Sequence, residues 1–225
     1  MTTSNKGPAN SDPFDEVAAN EMQVWRASSR QSGWKAVPTG FAALDRCLPG
    51  GGWPLAAMTE IFIDRYGIGE LQLLMPALVE RSQQGITWIA PPFTPYAPAL
   101  VRGGLDLRNL LFVTPASKAD VPWAIEQVLQ TRVDSTVLAW LDRVSLTTLR
   151  RLQLRISAQR IWAVFFSPLV EVSRRSPAAL KMRLSAAERA LRVDILKCRG
   201  GRPATVTLAG HAVTEPGVMK PEVGG

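Results

Sequence analysis

The residues that speak most directly about chemistry are Gly67-Ile-Gly-Glu70. This turn lies between an apolar run ending at Ile63 and a helical apolar pattern at Leu71, Leu74 and Leu78. A strand, a glycine turn and a helix in that order frame a phosphate-binding loop. A working loop also needs a Lys to reach the β- and γ-phosphates and a Ser or Thr to hold Mg²⁺. Here the turn offers Gly67, Gly69 and then Glu70, with no cation where the Lys should stand. The Glu70 carboxylate suits a helix N-terminus, but it would repel a nucleotide phosphate. The turn therefore reads as a nucleotide-binding frame kept as architecture with its catalytic residues gone. Neither ATP hydrolysis nor a bound cofactor is expected.

Two further stretches agree. The apolar run from Thr136 ends Ala139-Trp140-Leu141-Asp142. In an active ATPase that strand would end in an acid that positions Mg²⁺. Either Trp140 stands at that position or Asp142 lies slightly beyond it, and a strand-end or helix-capping role for Asp142 is the preferred reading. Ala90-Pro91-Pro92-Phe93 carries no acid where a catalytic Glu would be expected. Nothing replaces the missing chemistry. There is no Gly-x-Ser-x-Gly elbow, and the single histidine, His211, lies near the C-terminus. Cys47 and Cys198 are far apart, which makes no disulfide framework and no metal-ligand spacing.

The elements that would position this turn follow from periodicity. Continuous apolar runs at 59–63, 86–90, 110–114, 136–141 and 161–166 alternate with helical patterns beginning near Leu71, Tyr96, Pro122 and Leu146. That alternation predicts an α/β fold, a mostly parallel sheet covered on both faces. Leu191–Leu196 and Ala204–Leu208, joined by a Gly-Gly turn, predict a closing antiparallel hairpin. Ahead of the turn, Thr39-Gly40 with Phe41, Leu44 and Leu48 predicts a short capped helix, and Gly50-Gly51-Gly52 a turn. Residues 1–36 read as a flexible leader with a possible short helix around Trp25, and with Trp34 as a second anchor or contact. Residues 37–211 read as the domain and 212–225 as a loose tail.

Charge is unevenly spread. The chain has 225 residues, 46% of them apolar, and a net charge of +7. From Arg143 to Arg202, fourteen Lys and Arg face three acids, a net of +11, so the remainder is net negative. Such asymmetry favours an acidic partner or a phosphate backbone. Arg150, Arg151 and Arg155 fall on one side of a helix. Arg174 and Arg175, with Arg199 and Arg202, fall in Gly- and Ser-bearing loops, where guanidinium groups can approach phosphate or carboxylate. Lys181 and Arg183 complete the candidate set for a partner or DNA. Few aromatics interleave these cations, so base stacking is not indicated. No signal-peptide pattern and no apolar run of about 18 residues is present. A cytoplasmic location is expected.

A family resemblance rests on particular residues. Thr39, Gly40, Leu44, Asp45, Gly51, Gly52 and Glu60-Ile-Phe62 resemble the opening of the RecA core. The span 37–210 resembles the ImuA family, RecA-like accessory proteins of bacterial mutagenesis cassettes. The tie lies in Leu73–Leu78, Ile86–Pro92, Thr136–Asp142 and Phe165-Phe-Ser-Pro168. The block 71–169 is also similar to SulA, the SOS-induced division inhibitor, but SulA-like chains lack the segment 39–53 and the basic ending. The stretch Ser176–Leu184 resembles the ImuA ending and the RecA segment that carries its outer core strands. The ImuA resemblance implies a non-catalytic role in SOS mutagenesis and translesion DNA synthesis. It implies ImuB as partner, an error-prone polymerase α subunit reached through ImuB, and RecA and DNA as further candidates. The alternative it leaves open is a SulA-like inhibitor that binds FtsZ.

Overall fold

The computed structural model describes residues 35–173 and 175–209. The expectations for the leader with Trp25 and Trp34, for Arg174, for His211 and for the tail lie outside these residues.

The strands are β1 (Ala36–Val37), β2 (Trp53–Pro54), β3 (Ala57–Ile63), β4 (Ile86–Ile89), β5 (Leu110–Val113), β6 (Thr136–Trp140), β7 (Trp162–Pro168), β8 (Leu180–Ala187), β9 (Ala190–Cys198) and β10 (Ala204–Ala209). The α-helices are α1 (Ala42–Asp45), α2 (Glu70–Glu80), α3 (Ala97–Arg102), α4 (Val121–Thr131) and α5 (Leu146–Ala158). Among the described residues, eight strands form one sheet in the order β10-β9-β8-β3-β7-β6-β4-β5. From β8 to β5 every pairing is parallel, whereas β9 and β10 pair antiparallel. The α/β class, the mostly parallel sheet with flanking helices and the terminal hairpin are thus present as read.

The central strands are apolar runs because they are buried on both faces. All seven residues of β3 and all five of β6 are buried. Alternation divides their side chains between two cores. Ile61, Trp88, Leu138, Trp140, Trp162 and Phe166 pack against Leu73, Leu74, Ala77 and Leu78 of α2. Met58, Ile89, Val137, Phe165 and Ala163 pack against α4 and α5 on the other face. Large aromatics fill the first core: Trp140 stacks on Phe166 at 4.8 Å and tilts against Trp88 at 5.9 Å. Such pairs add about 1 kcal/mol each beyond area burial.

Three details depart from the pattern reading. The helix after Thr39 is not capped by that residue. Its N-cap is Phe41, and Asp45 reaches back to accept from the Thr39 backbone N–H at 2.9 Å. The Gly50–Gly52 turn leads into β2, which pairs with β1 in a two-stranded ribbon too short to carry a period. The closing hairpin is the outer part of a three-stranded antiparallel unit, because β8 joins β9 through a tight turn at Glu188 and Arg189. Strand β8 alternates Leu180, Met182 and Leu184 with Lys181, Arg183 and Ser185, the period of a half-buried strand, which the apolar-run reading passed over.

Among the described residues no helix is long and apolar enough to cross a membrane. Cys47 and Cys198 are both free thiols, and burial pushes Cys198 up to about 11.

Candidate functional site

The glycine turn sits at the C-terminal end of β3, a central strand, and leads directly into α2. In open α/β sheets that end is where ligands collect. Gly67 and Gly69 both take positive φ, at 80° and 106°. This left-handed geometry turns successive N–H groups inward to form a small anion nest. The nest is already filled. The Glu70 carboxylate folds back and accepts from Gly67 N–H at 2.9 and 3.1 Å and from Ile68 N–H at 3.0 Å. Glu70 is only 6% exposed, so the contact is interior to the protein. An internal carboxylate thus takes the place that a phosphate takes in a nucleotide-binding loop. The sequence placed Glu70 at a helix start but did not foresee this backward reach.

A second cleft, of about 450 Å³, opens beside the turn at the ends of β4, β5 and β6. Pro91, Pro92 and Pro115 wall it, with Tyr66, Lys118 and Asp142 at its polar side. Asp142 pairs with Lys118 at 2.7 Å. It caps nothing: the cap of α5 is Ser145, whose hydroxyl accepts from Thr148 N–H at 3.1 Å. Burial, then the charge of Asp142, raises the Tyr66 phenol above its ordinary range. Trp140 also lines the cleft, but most of its ring is buried in the stack on Phe166. The cleft therefore holds one ion pair and an apolar wall, with no second carboxylate among its described lining.

The basic candidates divide into three groups. Arg150, Arg175 and Lys181 meet with Lys197 in a groove of about 580 Å³, between the start of α5 and the 172–177 loop. Lys181 is itself buried, with Nζ donating to Val172 O at 3.0 Å and lying 5.0 Å from the Phe62 ring centre. Arg151 and Arg155 lie on the other side of α5. Arg151 is bound to Glu126 of α4, and Arg155 is half-buried one turn on. Arg199 and Arg202 are exposed on the β9–β10 connection, away from the groove lining.

Arg183 has a different task. With Arg192 and Thr205 it surrounds the buried Asp194. Arg183 donates at 2.6 and 3.0 Å, Arg192 at 3.0 Å and the Thr205 hydroxyl at 2.7 Å. Asp194 faces Arg183 across β8 and Thr205 across β10. The three outer strands are therefore tied by one carboxylate. Burial pushes the Asp194 pKa up, but the hydrogen bonds from Arg183, Thr205 and Arg192 outweigh it and hold the group below its ordinary value. A depressed folded pKa gives stability that is present above the unfolded pKa and lost as pH falls through the folded one. Asp194→Asn should lower stability at pH 7 by about 2 kcal/mol, or roughly 4–8 °C in Tm. It should also flatten the acid limb of a stability–pH profile. An unchanged acid limb in thermal melts would rule out this role.

No family model matches the chain. The chain is, however, similar to Protein ImuA from two strains of Caulobacter vibrioides. The identity is 26% over 211 residues, covering 76% of this chain and 84% of the relative. That span takes in most of the sheet and its helices, so the likeness extends well beyond the glycine turn and is to an ImuA-like protein.

Proposed function

We propose that this chain is a non-catalytic accessory protein of the ImuA type, acting in SOS-induced mutagenesis and translesion DNA synthesis. The observation that carries the reading is the filled anion nest. Strand β3 lies inside the sheet with β7 and β8 as its neighbours, yet Glu70 occupies the nest formed around Gly67 and Gly69. Binding a nucleotide there would require expelling a hydrogen-bonded carboxylate, and no Lys or Ser/Thr in the turn would repay it. A scaffold of this kind acts through its surfaces. In this reading those surfaces bind ImuB, with RecA or DNA as further contacts and an error-prone polymerase α subunit reached through ImuB.

The test is side-by-side binding of the purified chain to ImuB and to FtsZ from the same organism at physiological salt. Tight binding to ImuB and none to FtsZ is expected. Binding to FtsZ alone would assign the function to the SulA-like middle of the chain and overturn the proposal.

A further inference from the structure

The helix pair α4 and α5 turns more than a polar surface to solvent. Val121, Ala124, Ile125, Val128 and Leu129 of α4 and Leu149, Leu152 and Ile156 of α5 already supply the buried stripes. Trp123 and Leu154 fall outside those stripes, at 64% and 72% exposed. A lone exposed leucine is ordinary, but here an exposed tryptophan stands on the adjoining helix as well. The helical repeat sets Leu154 beside Arg150 and Arg151, one turn earlier on the same face. Arg151 is tied to Glu126 of α4, and Glu126 lies one turn beyond Trp123. That ion pair fixes the two helices against each other, so the face loses little freedom when a ligand arrives. It also spends the resident acid. Glu126 is the one carboxylate on α4 and α5, and among the described residues the side chains of Arg150 and Arg155 have no partner.

We infer that the outer face of α4 and α5 docks an acidic amphipathic helix of a protein partner. Charge complementarity selects the acids, since Arg150 and Arg155 offer cations that no carboxylate of either helix answers. Trp123 and Leu154 select apolar side chains on the same partner, and tryptophan and arginine are the residue types on which binding energy concentrates. The backbone selects a helix. Both α4 and α5 close their own hydrogen bonds, so an extended segment laid here would leave its N–H and C=O groups facing side chains, whereas a helix satisfies its own. A nucleic-acid strand suits the face less well. A phosphate backbone gains nothing from Leu154, and one tryptophan is not the succession of platforms on which bases stack. Such a face deepens the accessory role on which it rests, by giving the partner a chemistry and a place.

Fluorescence anisotropy at physiological salt tests it with labelled probes. These are a helical peptide of Glu, Ala and Leu with its leucines on one face, the same peptide with Gln for Glu, and a DNA duplex. The acidic peptide should bind and the Gln peptide should not. Arg150→Glu with Arg155→Glu should weaken acidic-peptide binding at least about tenfold. Trp123→Ser and Leu154→Ser should each weaken it several-fold. Arg199→Glu with Arg202→Glu makes the same charge change on the β9–β10 connection and should leave binding within about twofold. Trp123, Arg150 and Leu154 are exposed and Arg155 is half-buried. Circular dichroism checks that each variant folds, and Arg150→Glu with Leu154→Ser replaces the double arginine variant if that one does not. No acidic-peptide binding would overturn the inference. So would binding that no helix variant weakens, or that the Arg199 and Arg202 change weakens equally. Tighter binding of the duplex, lost in the double arginine variant, would overturn it too and make the face a phosphate reader. If the peptide fails while ImuB binds the wild-type chain, the helix face is wrong and the accessory role stands. If the peptide binds while ImuB does not, the accessory role is wrong and the helix face stands.

Discussion

Glu70→Ala should destabilise the protein by about 2 kcal/mol, because it strips a carboxylate from the Gly67 and Ile68 N–H groups. Ile68 is buried, so its N–H has no easy recourse to water, whereas Gly67 is exposed and can hydrate. Glu70→Gln should cost about half as much, since an amide oxygen still accepts but without charge. Glu70→Lys should cost most, about 3 kcal/mol, by setting a cation at a helix N-terminus. Urea unfolding of the series checks the order Lys, Ala, Gln, from most to least damaged. Equal stability across the series would mean that the carboxylate does not hold the turn. Calorimetric titration of the wild-type chain with Mg·ATP should show no heat of binding, which is the matching test of the filled nest. Measurable nucleotide affinity in the wild type would break the accessory reading at its base.

The sequence made this turn legible as a frame but not as a closed site. Glycines at 67 and 69 followed by an apolar helix are a local pattern. That Glu70 bends back onto the N–H groups before it is a choice of side-chain rotamer, and no spacing records it. The same distinction runs through the chain. The strands Thr136–Trp140 and Ile86–Ile89 were readable because burial on both faces leaves an uninterrupted apolar run. Strand β8 entered only through the family resemblance, although Leu180, Met182 and Leu184 alternate with Lys181, Arg183 and Ser185 as a half-buried strand does. Its outer face carries Lys181 and Arg183, which serve buried or paired contacts rather than solvent. Counting cations therefore treated Arg183, Arg151 and Arg150 alike. The structure spends the first on Asp194 and the second on Glu126, and it leaves Arg150 exposed on the groove. The alternation of Leu191, Val193 and Ile195 already puts Leu196 on the outer face with Arg192 and Asp194, a signal that reading the strand as a hairpin arm passed over.

The glycines of the opening segment give the largest effects expected outside the turn, and they separate two physical causes. Gly52→Ala should cost about 3 kcal/mol or more, because overpacking here meets main chain that cannot rotate away. Its new Cβ would stand 2.1 Å from the Val37 carbonyl oxygen and 2.6 Å from the Val37 carbonyl carbon, where β1 and β2 join. Gly40→Ala should cost a similar amount for a different reason. Its φ is +84°, which a Cβ strains, and the Cβ would lie 2.5 Å from Pro76 Cβ in the middle of α2. That obstacle is a side chain, so Pro76→Gly in the same chain, which removes both Cβ and the Cγ at 2.7 Å, should recover about 1–2 kcal/mol of the loss, leaving the backbone strain. No second-site truncation should rescue Gly52→Ala. Denaturant unfolding of the single and double variants measures the coupling directly, and additive losses at Gly40 and Pro76 would show that the two do not touch. The contact matters for the site because Pro76 lies in the helix that begins at Glu70. The segment 39–53 is thus a buttress against α2, the helix whose first residue fills the nest.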